Sequence, residues 1–229
     1  MLTSLSLTNF KSWNRIEEMQ LAPITCLFGA NSSGKTSILQ LLLMLKQTAQ
    51  SPDRTQVLDL GDERRSLVNL GSFLDLAFGH HPWAEVGWRL KWDLPRELRI
   101  SNPEHARSTL FSGRELGFSA RVRAEEKAGM MSGGFEYEFD RHTFGLTQMS
   151  NGKYELSASG PGFAFQKTPG RGWEIPAPVK CYGFPDAVRA YYRNAGFLSD
   201  FELALEQFLG NVYYLGVPPE NSWPFPGLN

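Results

Sequence analysis

The chain has 229 residues, and its 23 basic side chains nearly balance its 24 acidic ones. This length allows one large domain or two small ones, and the charge balance excludes a general positive field for nucleic acid while leaving room for a local patch. Two cysteines, Cys26 and Cys181, are too few for a disulfide framework, and we expect Cys26 to be a small buried residue. The N-terminus lacks a signal-peptide pattern and the longest apolar run is too short for a bilayer, which favours a cytoplasmic protein without a membrane partner.

Hydrophobic alternation predicts the first two elements of the chain. Leu5 and Leu7 alternate with serine and threonine residues, which indicates a half-buried strand that ends near Phe10. The stretch 16–21 can pair with this strand as a hairpin, joined through residues 11–15.

A strand, a glycine-bearing loop and a helix are predicted next. The apolar run 24–28 predicts a short buried strand, and residues 37–46 predict a helix that is apolar on nearly every face and therefore buried between layers. The residues between them, Gly29-Ala30-Asn31-Ser32-Ser33-Gly34-Lys35-Thr36, fit the phosphate-loop pattern G-x-x-x-x-G-K-[ST] without a mismatch. This arrangement brings backbone amides and the positive end of a helix dipole to one point, which suits a triphosphate. The alternative is an ordinary turn beside a solvated lysine.

Each residue type in this loop suggests a role in binding ATP and Mg²⁺. Gly29 and Gly34 permit backbone angles and a close approach that a Cβ atom would block. Lys35 supplies a point charge for the β- and γ-phosphates, and we take it as the catalytic residue; the Thr36 hydroxyl is the candidate magnesium ligand. Ser37 is expected near the α-phosphate, with a polar residue of the first helical turn as the alternative. The anion nest would be formed by the amides of Asn31, Ser32, Ser33, Gly34 and Lys35.

The middle of the chain predicts an antiparallel β meander over roughly 85–170. Residues 54–84 are irregular, and the alternation from Val86 to Trp92 predicts a two-sided strand with its tryptophans in the core. Residues 96–113 contain breakers and predict a loop. Further alternating stretches follow around Phe118, Phe135–Phe139 and Tyr154–Ser157, with an Asn151-Gly152 turn signal, while Ser132-Gly133-Gly134 favours a turn.

The last part of the chain predicts a linker, two helices and a strand. Residues 160–178 are rich in glycine and proline, and Pro185-Asp186 opens a helix. The spacing of Ser199 and Glu202 indicates a capping box for a second helix that ends at Gly210. Residues 212–215 then predict a short buried strand.

Several segments of the sequence, most of them in its N-terminal part, carry a resemblance to a known family. The strand ending Asn9-Phe10-Lys11-Ser12, the hairpin, and the loop Gly29–Ser37 resemble the ATPase heads of ABC-type proteins, within them the SMC, RecF and OLD-like branch. The closest likeness is to bacterial AAA-family ATPases of phage-defence systems, including the Septu type. Similar segments in this chain are 39–50, 59–62, 70–73 and 213–216.

The resemblance implies an α/β P-loop NTPase fold, as an ABC-ATPase-like N-terminal lobe with an antiparallel β meander. It divides the chain into a P-loop ATPase core lobe (1–93), a β-meander insertion and linker (94–178), and a helical segment with the returning strand of the lobe (179–229). It also implies ATP-driven dimerisation of heads with the nucleotide sandwiched between two subunits. Lys11 and Ser12 match the position from which such heads reach the nucleotide; a plain turn after a strand is the alternative.

The chain departs from this family pattern in the hydrolytic elements. No apolar run ends in Asp-Glu, no Leu-Ser-Gly-Gly-like segment is present, and the sequence continues Val217-Pro218-Pro219-Glu220 where the family has proline and arginine. We therefore expect an N-terminal fragment that holds the phosphate loop without the hydrolytic base.

Two hypotheses of different classes follow. In the first, the chain is the ATP-binding lobe of an ABC-type ATPase that forms a homodimer when it binds Mg-ATP. Dimerisation would control a nuclease or act on DNA in anti-phage defence. The alternative role within this hypothesis is DNA repair of the RecF type. In the second, it is an ATP-sensing or scaffold module that does not hydrolyse its nucleotide. The missing acidic residues favour the second for this chain alone.

Overall fold

The structure, a computed structural model, describes residues 1–62, 66–102, 108–125, 129–170 and 174–215. Seven strands and four helices are present in these ranges, with a single 3₁₀ turn at Phe78–His80. The strands are β1 (Leu2–Phe10), β2 (Trp13–Gln20), β3 (Glu85–Ser101), β4 (Thr109–Glu125), β5 (Gly129–Phe139), β6 (His142–Gln148) and β7 (Tyr154–Ser159). The helices are α1 (Lys35–Gln50), α2 (Phe73–Leu76), α3 (Asp186–Tyr191) and α4 (Leu198–Gly210).

All seven strands form one antiparallel sheet in the order β2-β1-β3-β4-β5-β6-β7. The predicted N-terminal hairpin and the β meander are both present, and they are parts of this same sheet. The predicted boundary between residues 93 and 94 falls inside β3, where the pairing of β3 with β4 has an irregular register between Asp93 and Leu98.

The alternation of apolar residues gives the sheet one buried face. Leu7 lies opposite Trp88, Trp88 opposite Ala120, and Ala120 opposite Phe135, so one row of the core crosses four strands. All four side chains are buried, as the alternation predicts. Helices α1 and α4 pack together and supply the other side of this core.

The opposite face of the sheet is polar. The matching row on that side runs from Ser6 through Arg89 and Ser119 to Glu136. Arg89 forms an ion pair with Glu138 on this face. Small and charged side chains therefore alternate there, as expected for the water-facing side of an antiparallel sheet.

Aromatic side chains fix the segment that follows β7. Phe163 contacts Phe111 of β4 and Phe144 of β6 edge-to-face, with ring centroids 5.3 and 5.5 Å apart. Phe197, next to α4, contacts the same three rings. This part of the predicted linker is therefore packed against the sheet.

Two predicted buried strands are absent from the structure. Residues 24–28 form no strand, and Ile24 and Phe28 are 85% and 89% exposed. Residues 212–215 are also outside any strand, and Leu215 is 95% exposed. Both segments are apolar enough for a buried strand, but neither has a pairing partner among the described residues. The prediction that Cys26 is buried was wrong for the same reason.

Other local predictions also need correction. The predicted loop 96–113 is in large part strand, because β3 continues to Ser101 and β4 begins at Thr109. Ser132-Gly133-Gly134 lies within β5 instead of a turn. Strand β6 was not predicted, although His142, Phe144 and Leu146 alternate with small polar residues.

Helices α1 and α4 lie close to their predicted positions but differ in detail. Leu39 on α1 is 42% exposed, so this helix is not buried on every face, although most of its other apolar side chains are buried. Ser199 lies inside α4, where its hydroxyl donates to the Gly196 carbonyl, and Glu202 accepts from the Phe184 amide. The predicted capping box is therefore not formed.

No helix in the described ranges is long and apolar enough to cross a membrane.

Candidate nucleotide site

The loop 29–36 is curled tightly around the N-terminus of α1. Gly29, Ser32 and Gly34 have φ angles of 154°, 63° and 87°. Gly34 is the residue that precedes the helix, and its left-handed conformation turns the chain directly into α1 at Lys35. Non-glycine side chains rarely adopt such angles, which explains the glycine at this position.

The loop leaves several backbone amides without a partner. The Ser33 amide donates to the Ala30 carbonyl, and the Ser37 amide donates to the Gly34 carbonyl. The other amides of the loop donate to no atom in the described part of the chain, and the five of them nearest to α1 are those of Asn31, Ser32, Gly34, Lys35 and Thr36. Free amides at a helix N-terminus, together with the helix dipole, are a favourable arrangement for an anion.

The Lys35 side chain folds back over this loop. Its Nζ atom donates to the carbonyls of Gly29 and Ala30 at 2.8 and 2.6 Å, and lies 3.4 Å from the Ser33 hydroxyl. The positive charge is therefore held over the curled loop. The first glycine is also tightly placed, because a Cβ atom on Gly29 would come within 2.9 Å of the Ser33 hydroxyl.

The turn between β1 and β2 packs against the end of the loop. A Cβ atom on Gly34 would lie 2.9 Å from Ser12 Cβ and 2.9 Å from Trp13 Nε1. The structure therefore brings Ser12 to the loop, and its role toward a nucleotide stays a prediction. Trp13 is an additional neighbour that the sequence did not indicate, and its indole N–H donates to the Gly34 carbonyl at 3.0 Å.

Lys11 is anchored beside this contact. Its amide donates to the Leu76 carbonyl of α2 at 2.7 Å. Partial burial lowers the pKa of the Lys11 side chain, and the nearby Asp75 carboxylate opposes that shift. Hydrogen bonds from Ser72 in turn lower the pKa of Asp75. The described contacts thus link Lys11 to α2, and its role toward a nucleotide stays a prediction.

Thr36 and Ser37 differ in their accessibility. Thr36 is exposed at the first turn of α1, so its hydroxyl is available to a ligand. Ser37 is buried and its amide is already used by Gly34. No group of three or more histidine, cysteine, aspartate or glutamate residues in the described ranges could hold a metal ion. The assignment of Thr36 as the magnesium ligand stays a prediction.

The far end of α1 is held by two lysines. Lys180 is buried, and its Nζ donates to the carbonyls of Ala49 and Ser51 at 3.0 and 2.9 Å. Lys46 of α1 donates to the carbonyl of Gly210, the last residue of α4, and to that of Val212 just beyond it. These bonds satisfy carbonyls that a helix end leaves free, so α1 is fixed relative to α4.

The candidate site is an open surface. Asn31, Ser32 and Ser33 are exposed. Two cavities of the described chain lie elsewhere: one of about 670 Å³ is lined in part by Phe73 and Trp83, and one of about 540 Å³ lies on the polar face of the sheet. A nucleotide on the loop would therefore have one side open to water.

Residues 1–103 match a family model described as AAA ATPase domain. The matched region contains the β1–β2 hairpin, the loop 29–36, α1, α2 and β3. No curated protein matches the chain at a significant level. The match supports an AAA-type ATPase.

Proposed function

We propose that the chain binds Mg-ATP at the loop 29–36. The observation that carries this proposal is the set of five unpartnered amides around the N-terminus of α1, with the Lys35 ammonium held over them. Phosphate oxygens are acceptors that such amides and such a charge both favour. The match to the AAA ATPase domain model supports the same function.

Lys35 has a specific part in this proposal. Its ammonium donates to two loop carbonyls, those of Gly29 and Ala30. A bound triphosphate offers charged acceptors at the same place, so the ammonium exchanges neutral partners for stronger ones. The exposed Thr36 hydroxyl would hold the magnesium ion, which when bound neutralises charge on the β- and γ-phosphates.

The open side of the site supports the pairing of two heads around the nucleotide. The loop is exposed, and so are the apolar side chains of Ile24 and Phe28 in the segment that leads into it. Exposed apolar groups of this size are typical of interaction surfaces. The proposed ABC-type head, of the SMC and OLD-like branch, would form an ATP-sandwiched homodimer coupled to a nuclease or to DNA in anti-phage defence.

A second candidate is a module that binds ATP and does not hydrolyse it. No carboxylate in the described ranges forms a hydrogen bond with the loop 29–36. Hydrolysis needs a group that positions or deprotonates the attacking water. This observation favours ATP sensing for the chain acting alone.

Titration calorimetry with ATP and magnesium tests the proposal. We expect binding by the native chain and its loss in Lys35→Ala, while Lys153→Ala, an exposed lysine far along the chain, binds like the native chain. Equal binding by native chain and Lys35→Ala contradicts the proposed site. Steady-state phosphate release then separates the two candidates, and light scattering with and without ATP tests for the dimer.

A further inference from the structure

Trp13 makes a contact that the proposed function does not use. Its indole N–H donates to the Gly34 carbonyl, with 3.0 Å between Nε1 and oxygen. The same carbonyl accepts the Ser37 amide at 3.1 Å. Both acceptor positions of this oxygen are therefore occupied, one by the helix itself and one by the β1–β2 turn.

The direction of the Gly34 carbonyl determines the direction of the next amide. The peptide group between Gly34 and Lys35 is planar and trans, so its carbonyl and its N–H point in opposite directions. A carbonyl that is held toward Trp13 and α1 obliges the Lys35 amide to point away from the helix. That amide is one of the five that have no partner in the described chain.

We infer that Trp13 is a positioning residue for phosphate binding, acting through the Gly34 carbonyl on the Lys35 amide. The inference rests on the proposed function, because it concerns the same loop and its anion. Trp13 itself does not contact the phosphate. It restricts the orientations of one peptide group, so that the amide is already aimed when the anion arrives.

Trp13 is well placed for this, because the turn that carries it is held on two sides. Trp13 pairs with Phe10, which is fully buried at the end of β1. Lys11, between them, donates its amide to the Leu76 carbonyl. Contact with the loop is also close, because a Cβ atom on Gly34 would lie 2.9 Å from the indole nitrogen. The turn therefore has little freedom to move away from the loop.

The experiment removes the indole N–H and keeps an aromatic ring, in Trp13→Phe. We expect the dissociation constants for ATP and for inorganic tripolyphosphate to rise by the same factor, about three- to tenfold, which is what one hydrogen bond contributes. Equal factors show that the loss concerns phosphates and not the base. Trp83→Phe, which changes a tryptophan that is 72% exposed, is the matched control and should bind like the native chain.

The unfolding midpoint of the protein without added nucleotide distinguishes a positioning role of Trp13 from a purely structural one. We expect Trp13→Phe to unfold within about 5 °C of the native chain, so that the affinity change is not a loss of fold. If it falls further, Trp13→His, which restores a ring N–H, replaces it in the comparison. If Trp13→His binds tripolyphosphate with an affinity within about twofold of that of the native chain, the inference is supported, and a larger loss of affinity overturns it.

The results distinguish the two proposals. A native chain that binds neither ATP nor tripolyphosphate refutes the proposed function, and the inference with it. A native chain that binds both, with Trp13→Phe binding equally well, overturns only the role of Trp13.

Discussion

The exposure of residues 24–28 leads to a direct prediction about the two cysteines. Cys26 lies in this segment and is exposed, whereas Cys181 is fully buried. We expect the native protein to show one thiol that reacts rapidly with Ellman's reagent at pH 8 and one that does not. The reacting thiol is Cys26, which the sequence had placed in a buried strand.

The structure gives the size of the difference. Burial raises the pKa of Cys181 to about 12. Since the thiolate is the reacting species, about one Cys181 side chain in ten thousand is reactive at pH 8, before its inaccessibility is considered. Labelling of Cys181 should therefore be slower than labelling of an exposed thiol by at least about three orders of magnitude.

The assay follows absorbance at 412 nm in the native protein and in Cys26→Ser. The native chain should release one equivalent of thionitrobenzoate in the fast phase, and Cys26→Ser none until urea is added. Two fast equivalents would mean that the core around Cys181 is open. A native chain with no fast equivalent would mean that residues 24–28 are covered, which contradicts the structure described above.

Two further predictions concern the helices behind the loop. Lys180→Met leaves two carbonyls at the end of α1 without their donor, so the free energy of unfolding should fall by about 2–4 kcal/mol; an unchanged urea midpoint contradicts this. Burial raises the pKa of Glu202 from its usual 4.5, against the effect of Arg189, so the ionised form is disfavoured in the folded chain. The free energy of unfolding of the native chain, compared with that of Glu202→Gln, should therefore fall as pH rises through and above 4.5. Urea titrations of both proteins from pH 4 to 8 test this prediction. A difference in free energy between them that stays flat or rises with pH refutes it.

Much of the sheet could be predicted because alternation depends on local sequence. The neighbours of several buried residues in the sequence are polar residues or glycines, as at Leu5, Leu7, Trp88 and Phe135. Because side chains alternate between the two faces of a strand, this pattern assigns the apolar residues to one face without reference to distant parts of the chain. The phosphate-loop pattern is local in the same sense, since its turn depends on glycines within the loop itself.

The errors have a common physical origin. Apolar composition shows that residues 24–28 and 212–215 favour burial, but burial also requires a partner surface, and the sequence of a segment does not contain its partner. Trp13 could not be assigned for a similar reason, because its contact with Gly34 joins residues that are 21 positions apart. The continuation of β3 to Ser101 was missed because Pro95 and its charged neighbours resemble a loop, although an irregular register accommodates them.

The difference between segments that have partners in this chain and segments that have none also explains why the candidate site is formed on one side and open on the other. The loop depends on contacts within this chain: the β1–β2 turn lies against Gly34, and Lys180 and Lys46 fix the far end of α1. The amides that would hold phosphate are therefore arranged before any ligand binds, which lowers the entropic cost of binding. In the segment 24–28 that leads into the loop, the described hydrogen bonds join Thr25 only to its neighbour Ala22. The phosphate-binding half of the site therefore does not depend on the predicted strand having a partner.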